Sequence, residues 1–135
     1  MEINELRRAV GARLGYCFRQ DPKDKFFAWH VRFPGPEGKQ EIRSYPSEVM
    51  NDIPKWTWDL NDAISLVHAA AEKGFFFEFG INPTEDVETW GGDAKYKPID
   101  SDHYVLVEGS LQTASGLAEV ICRVFCAVMP EIGQE

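Results

Sequence analysis

Residues 113–129, TASGLAEVICRVFCAVM, stop at Pro130 and carry Leu117, Val120, Ile121, Val124, Phe125 and Val128 at helical spacing. Glu119 and Arg123 are the charges in the body of this segment. A helix so apolar around its circumference must be covered on more than one side. A sheet can cover one side, and the other calls for a neighbouring helix or a second subunit. The sequence therefore points to helices layered on a sheet and to a homo-oligomer, a dimer by default.

Working outward, Tyr104 to Glu108 and Phe75 to Phe79 read as short apolar strands in mid-sheet. Residues 81–102 lie between them, with Pro83, a Trp90-Gly91-Gly92-Asp93 bend and Pro98, and read as a long loop that binds, covers or moves. Upstream, Asp59 with Asp62 marks a helix start. Leu60, Ala63, Ile64, Val67 and Ala71 form its apolar stripe and Gly74 closes it. Phe26 to Phe33 alternates, placing Phe27, Trp29, Val31 and Phe33 on one face and Phe26, Ala28, His30 and Arg32 on the other. The turn-rich run Pro34-Gly35-Pro36-Glu37-Gly38 lets Lys39 to Tyr45 return as the partner of a hairpin. At the start, Ile3, Leu6, Val10 and Leu14 define an amphipathic helix ending near Gly15, with Glu5, Arg7, Arg8 and Arg13 on its polar side. The expected fold is a single α+β domain over residues 1–135, an antiparallel sheet of about four to five strands with helices packed on both faces.

The composition, 44% hydrophobic and 13% aromatic, is ample for a core. A net charge of −8, from 22 acidic and 14 basic residues, repels phosphate backbones and argues against nucleic acid as partner. No stretch approaches the roughly 20 apolar residues of a membrane span. The charged opening residues lack the apolar core of a secretory signal. A cytoplasmic protein is expected. Cys17, Cys122 and Cys126 form no metal-ligand pattern and are expected as reduced core thiols, with neither metal nor cofactor.

No nucleophile elbow, Cys–His pairing or phosphate loop is visible, which favours binding over catalysis. Asp100-Ser101-Asp102-His103 would suit a hard cation or acid–base work, and equally a solvated turn; His30 lies on the polar face of its strand and His68 on the second helix. Trp56 and Trp58 can close the core at a junction, whereas Trp90, in a glycine-rich segment, can stack on a flat ligand. Arg123 must meet Glu119 one turn earlier, an interface, or a bound phosphate or carboxylate, since an unpaired buried charge costs several kcal/mol. Lys95 and Lys97 can meet phosphates, and Asn82 and Phe79 complete the candidate ligand-binding set.

Three segments together, Trp58-Asp59-Leu60-Asn61-Asp62-Ala63-Ile64, the aromatic strand Phe75 to Phe79, and Thr113-Ala114-Ser115 with Leu117-Ala118 and Ile121-Cys122-Arg123, resemble the phage ABA-sandwich family. The hairpin from Phe26 to Tyr45 and the segment from Asn82 to Asp102 are larger than the family pattern. The resemblance implies helices on both faces of an antiparallel sheet and no enzymatic activity. It points toward anti-defence sponges, notably the first Thoeris anti-defence family, which sequesters cyclic ADP-ribose isomers made by host immune TIR enzymes. The function it implies is a phage-encoded binder of a nucleotide-derived immune signal, a cyclic ADP-ribose isomer or cyclic oligonucleotide. Trp90 would stack on a base while Arg123, Lys95 and Lys97 meet phosphates. The competing readings are an acidic module that inhibits a host enzyme, and a hydrolase using Asp100, Asp102 and His103 around a metal.

Overall fold

The computed structural model describes residues 2–36, 40–83, 90–113 and 116–132, with 81–83, 90–92 and 108–113 described by backbone alone. The described residues form three helices and two antiparallel sheets of three strands each, an α+β protein. Strands that the sequence suggests for one sheet of four to five are thus shared between two smaller sheets. The chain divides into two compact units, Met1–Pro54 with Pro130–Glu135, and Lys55–Met129.

In the first unit, α1 (Ile3–Arg13) begins at Glu2, whose carboxylate accepts the backbone N–H groups of Asn4 and Glu5 at 3.0 and 3.4 Å. Those are two of the donors a helix N-terminus leaves unpaired. The strands β1 (Cys17–Gln20), β2 (Trp29–Arg32) and β3 (Ile42–Tyr45) follow in that order across the sheet. α1 packs on β1 so closely that a Cβ on Gly11 would lie 2.6 Å from the Phe18 ring, so a larger residue there would make that ring shift. Arg7, expected on the solvent side of α1, is instead 1% exposed. Its guanidinium donates to the backbone carbonyls of Glu48, Val49, Met50, Ile53 and Pro54. An arginine can be buried here because its fork of N–H donors is met by five backbone carbonyls of a segment without strand or helix.

In the second unit, α2 (Leu60–Glu72) starts where the Asp59 side chain accepts the Asp62 N–H at 3.1 Å and ends at Gly74, whose φ of 90° a side chain would resist. Its buried face is Ala63, Leu66 and Ala70, rotated from the expected stripe, and Leu60 and Ile64 are exposed. The sheet runs β4 (Phe75–Pro83), β5 (Trp90–Pro98), β6 (Val105–Thr113). β5, which the sequence suggests is loop, is the central strand, and β4 and β6 are edges rather than mid-sheet. Helix α3 (Leu117–Val128) packs against α2 and the sheet. Val120 and Val124 meet Ala94, with Phe77, Phe79, Tyr96 and Val107 around them. Within the single chain Ala118 to Cys122, Val124 and Phe125 are already buried. The neighbouring helix that the sequence requires is α2, so the apolar character of α3 does not by itself demand a second subunit.

Candidate anion-binding site

Among the described side chains, the residues proposed from sequence do not converge. Phe79 lies on the face of the second sheet that packs with Val120 and Val124 of α3. Lys95 and Lys97 are one residue out of phase, cross-strand from Glu78 and Phe76, and so occupy the opposite face. There the Lys97 ammonium donates to the Ser101 carbonyl at 3.0 Å and sits 5.7 and 5.8 Å from the Phe76 and Tyr104 rings. Trp90 and Asn82 are strand residues, Trp90 paired with Pro83 and Thr113 and Asn82 with Gly91; their side chains are outside the described set. Arg123 pairs with Glu119 at 2.9 Å. Its Nε is buried with no hydrogen-bond partner. Trp56 is buried and Trp58 is 43% exposed. Asp100, Asp102 and His103 are exposed turn residues, with the His103 N–H donating to Ser101 Oγ at 3.1 Å.

A different constellation stands on the first sheet. The register pairs Arg19 with His30 and His30 with Ser44, and Cys17 with Arg32 and Arg32 with Ile42. Because side chains alternate across a strand, these six form a two-by-three grid on one face, and Phe18, Trp29, Val31 and Tyr45 occupy the other. The second face is the apolar one: Trp29, Val31 and Tyr45 are buried and Phe18 meets Gly11 of α1. The grid face stays open. Cys17, Arg19, His30, Arg32 and Ile42 line a recess of about 200 Å³ on it.

Arg19 and Arg32 are diagonal neighbours in this grid, about 7–8 Å apart at the backbone. Among the described residues neither guanidinium has a hydrogen bond, ion pair or ring contact, although the chain carries a net charge of −8. The contrast with other arginines is sharp. Arg8 bridges Glu48 and the Trp29 ring, Arg43 bridges Glu41 and Asp52, and Arg13 meets Glu131. Two planar forks set diagonally can address one phosphate or carboxylate from two sides. His30 between them is held at Nδ1, 2.7 Å from Ser44 Oγ, while Nε2 faces Asp24 Oδ2 at 3.6 Å, an ion pair when the ring is protonated. The ring is therefore oriented before any ligand arrives.

A larger recess of about 390 Å³ lies on the α1 side, lined by Arg8, Ala9, Ala12, Phe18, Gln20, Trp29 and Glu131. Its charges are spent on each other or on neighbours, Arg8 with Glu48 and Glu131 with Arg13, so it offers a ligand little. Asp21, Asp24 and His30 also bring potential metal-ligating atoms within 4.8 Å of one another. The Asp21 and Asp24 carboxylates there already accept backbone N–H groups of the adjoining turn.

Sequence reasoning placed His30 and Arg32 on one face and missed Arg19, because β1 was not recognised. The signal available was the short alternation Cys17-Phe18-Arg19-Gln20, whose parity matches its partner only once the register is known. Compared with known proteins, the chain matches no family model, and neither a curated protein nor a solved structure is significantly similar to it.

Proposed function

We propose that this protein is a non-enzymatic binder that removes a small phosphate-bearing molecule from solution by holding it on the open face of the first sheet. The observation that carries the reading is the diagonal pair Arg19 and Arg32, without partners among the described residues of an acidic chain, above a recess shared with His30 and Cys17. A small basic spot in a chain of net charge −8 favours small anions over the extended phosphate backbone of nucleic acid. The biological role that goes with it is the one the family resemblance implies, capture of a nucleotide-derived immune signal by a phage protein in the host cytoplasm. On this reading the ligand sits at Arg19 and Arg32 rather than at Trp90, Arg123, Lys95 and Lys97. Helices over both faces of a sheet, and a homo-oligomer, belong to the same proposal. Phe76 and Leu106, exposed on the face away from α3, would be covered by a second copy.

Calorimetry at low salt tests the reading, with inorganic phosphate, nucleoside monophosphates, cyclic dinucleotides and cyclic ADP-ribose isomers as ligands. At least one should release heat, and the double substitution Arg19→Ala/Arg32→Ala should weaken it by about 100-fold or more, the loss of two charge-assisted contacts. Alkylation of Cys17, which lines the recess, should slow when the ligand is bound. Heat unchanged by the double substitution, or no heat with any ligand, would remove the assignment.

A further inference from the structure

We propose that the ligand of this site is a phosphate ester of a flat ring, a nucleotide rather than a simple phosphate or sugar phosphate, with its ring resting on Phe26 and Phe27. This rests on the anion-binding reading above and adds the second half of the ligand. Phe26 is 77% exposed, the most exposed large apolar side chain among those described, and its neighbour Phe27 is 45% exposed. Adjacent exposed aromatics usually mark a binding surface. They belong to the turn that joins β1 to β2 beside the grid: the Asp21 N–H donates to the Ala28 carbonyl at 2.9 Å, extending the β1–β2 ladder beyond Arg19 and His30. Two residues of strand advance about 6.6 Å, so the turn begins roughly that far along the ladder from Arg19 and about 13 Å from Arg32.

The turn is also ordered in advance. Asp24 Oδ1 accepts the N–H of Phe26 at 2.8 Å and of Phe27 at 2.9 Å, and its Oδ2 faces His30 Nε2 at 3.6 Å. One carboxylate thus holds the backbone of the aromatic pair and faces the imidazole of the grid. Asp21 Oδ1 accepts the Lys23 N–H at 3.0 Å and closes the other half of the turn. The Phe27 and Phe26 donors hold the Asp24 carboxyl below its usual range, so the anchor is intact at neutral pH. A platform fixed in this way loses little freedom when a ring stacks on it. The charge agrees: residues 17–32 hold four basic side chains, Arg19, Lys23, Lys25 and Arg32, against two acidic ones, in a chain of net charge −8.

The test compares inorganic phosphate, ribose 5-phosphate and the four common nucleoside monophosphates on the intact protein and on Phe26→Ala/Phe27→Ala. At least one nucleoside monophosphate should bind about tenfold or more tighter than ribose 5-phosphate, the size expected of one base–aromatic stack. That advantage should vanish in the double variant while phosphate affinity stays the same. Equal binding of ribose 5-phosphate and all four nucleotides would overturn the aromatic platform and leave the arginine clamp standing. So would an advantage that survives the double variant. Absence of binding by every one of these ligands would overturn both.

Discussion

At the centre of the second unit Val120 and Val124 meet Ala94, with the rings of Phe77 and Phe79 packed against them. At the centre of the first stands Arg7, 1% exposed, with five backbone carbonyls around its guanidinium. The first unit has strands of four residues where the second has strands of nine. Its segment 48–54 has no strand or helix to satisfy its carbonyls, and Met50 takes a φ of 44°, unusual for a side-chain-bearing residue. A polar hub does there what packing does elsewhere. One face of the first sheet is also open, and Arg19 and Arg32, without partners among the described residues, stand on it.

If the hub holds the first unit, Arg7→Met, which keeps the stem and removes every donor, should cost about 3–5 kcal/mol in urea unfolding, since five buried carbonyls lose a charged partner. Arg7→Lys should recover part of that, because an ammonium offers three donors from a single point. A loss below about 1 kcal/mol for Arg7→Met would break the contrast between the units. On the other side, Leu66→Ala removes a fully buried side chain of α2 and should cost about 3 kcal/mol. Amide exchange should localise each loss, to residues 48–54 for the first and to α2 for the second.

The contrast also explains which parts of the molecule could be read from the sequence. Trp29 and Val31 against His30 and Arg32 was legible because an alternation of two survives in a short strand, and the helix start at Asp59 was legible because capping is local. Arg7 was not, since periodicity sorts arginine to the solvent side and says nothing about carbonyls forty residues away. β5 was hidden by Gly91, Gly92 and Asp93, which erase the alternation; it is held by backbone pairing on both edges. The site shared this fate. Arg19 and Arg32 become neighbours only through the β1–β2 register, while the residues chosen from sequence, Phe79, Lys95 and Lys97, proved to straddle a sheet.

Smaller effects sharpen the comparison. Asp59→Ala removes the acceptor for the Asp62 N–H and should cost about 1 kcal/mol, read as reduced thermal stability with α2 still formed. A stability indistinguishable from the parent would mean that packing of Leu66 and Ala70 alone places the start of α2.

The smallest expected effect tests the open edge of the first sheet. Asp24 titrates below its ordinary value of 3.8 because the N–H groups of Phe27 and then Phe26 stabilise its charged form, with His30 adding less. A depressed carboxyl contributes its share of stability above the unfolded value and loses it as pH falls through the folded one. The amide resonances of Phe26 and Phe27 should therefore be constant from neutral pH down to about 4 and shift together only below it, with a common midpoint under 3.8. In Asp24→Asn, which retains an oxygen acceptor and cannot ionise, that shared titration should disappear. Midpoints at or above 3.8, or amides that move independently, would mean that the carboxylate does not hold the aromatic pair, and the first unit would then present a loose turn in place of a preformed platform.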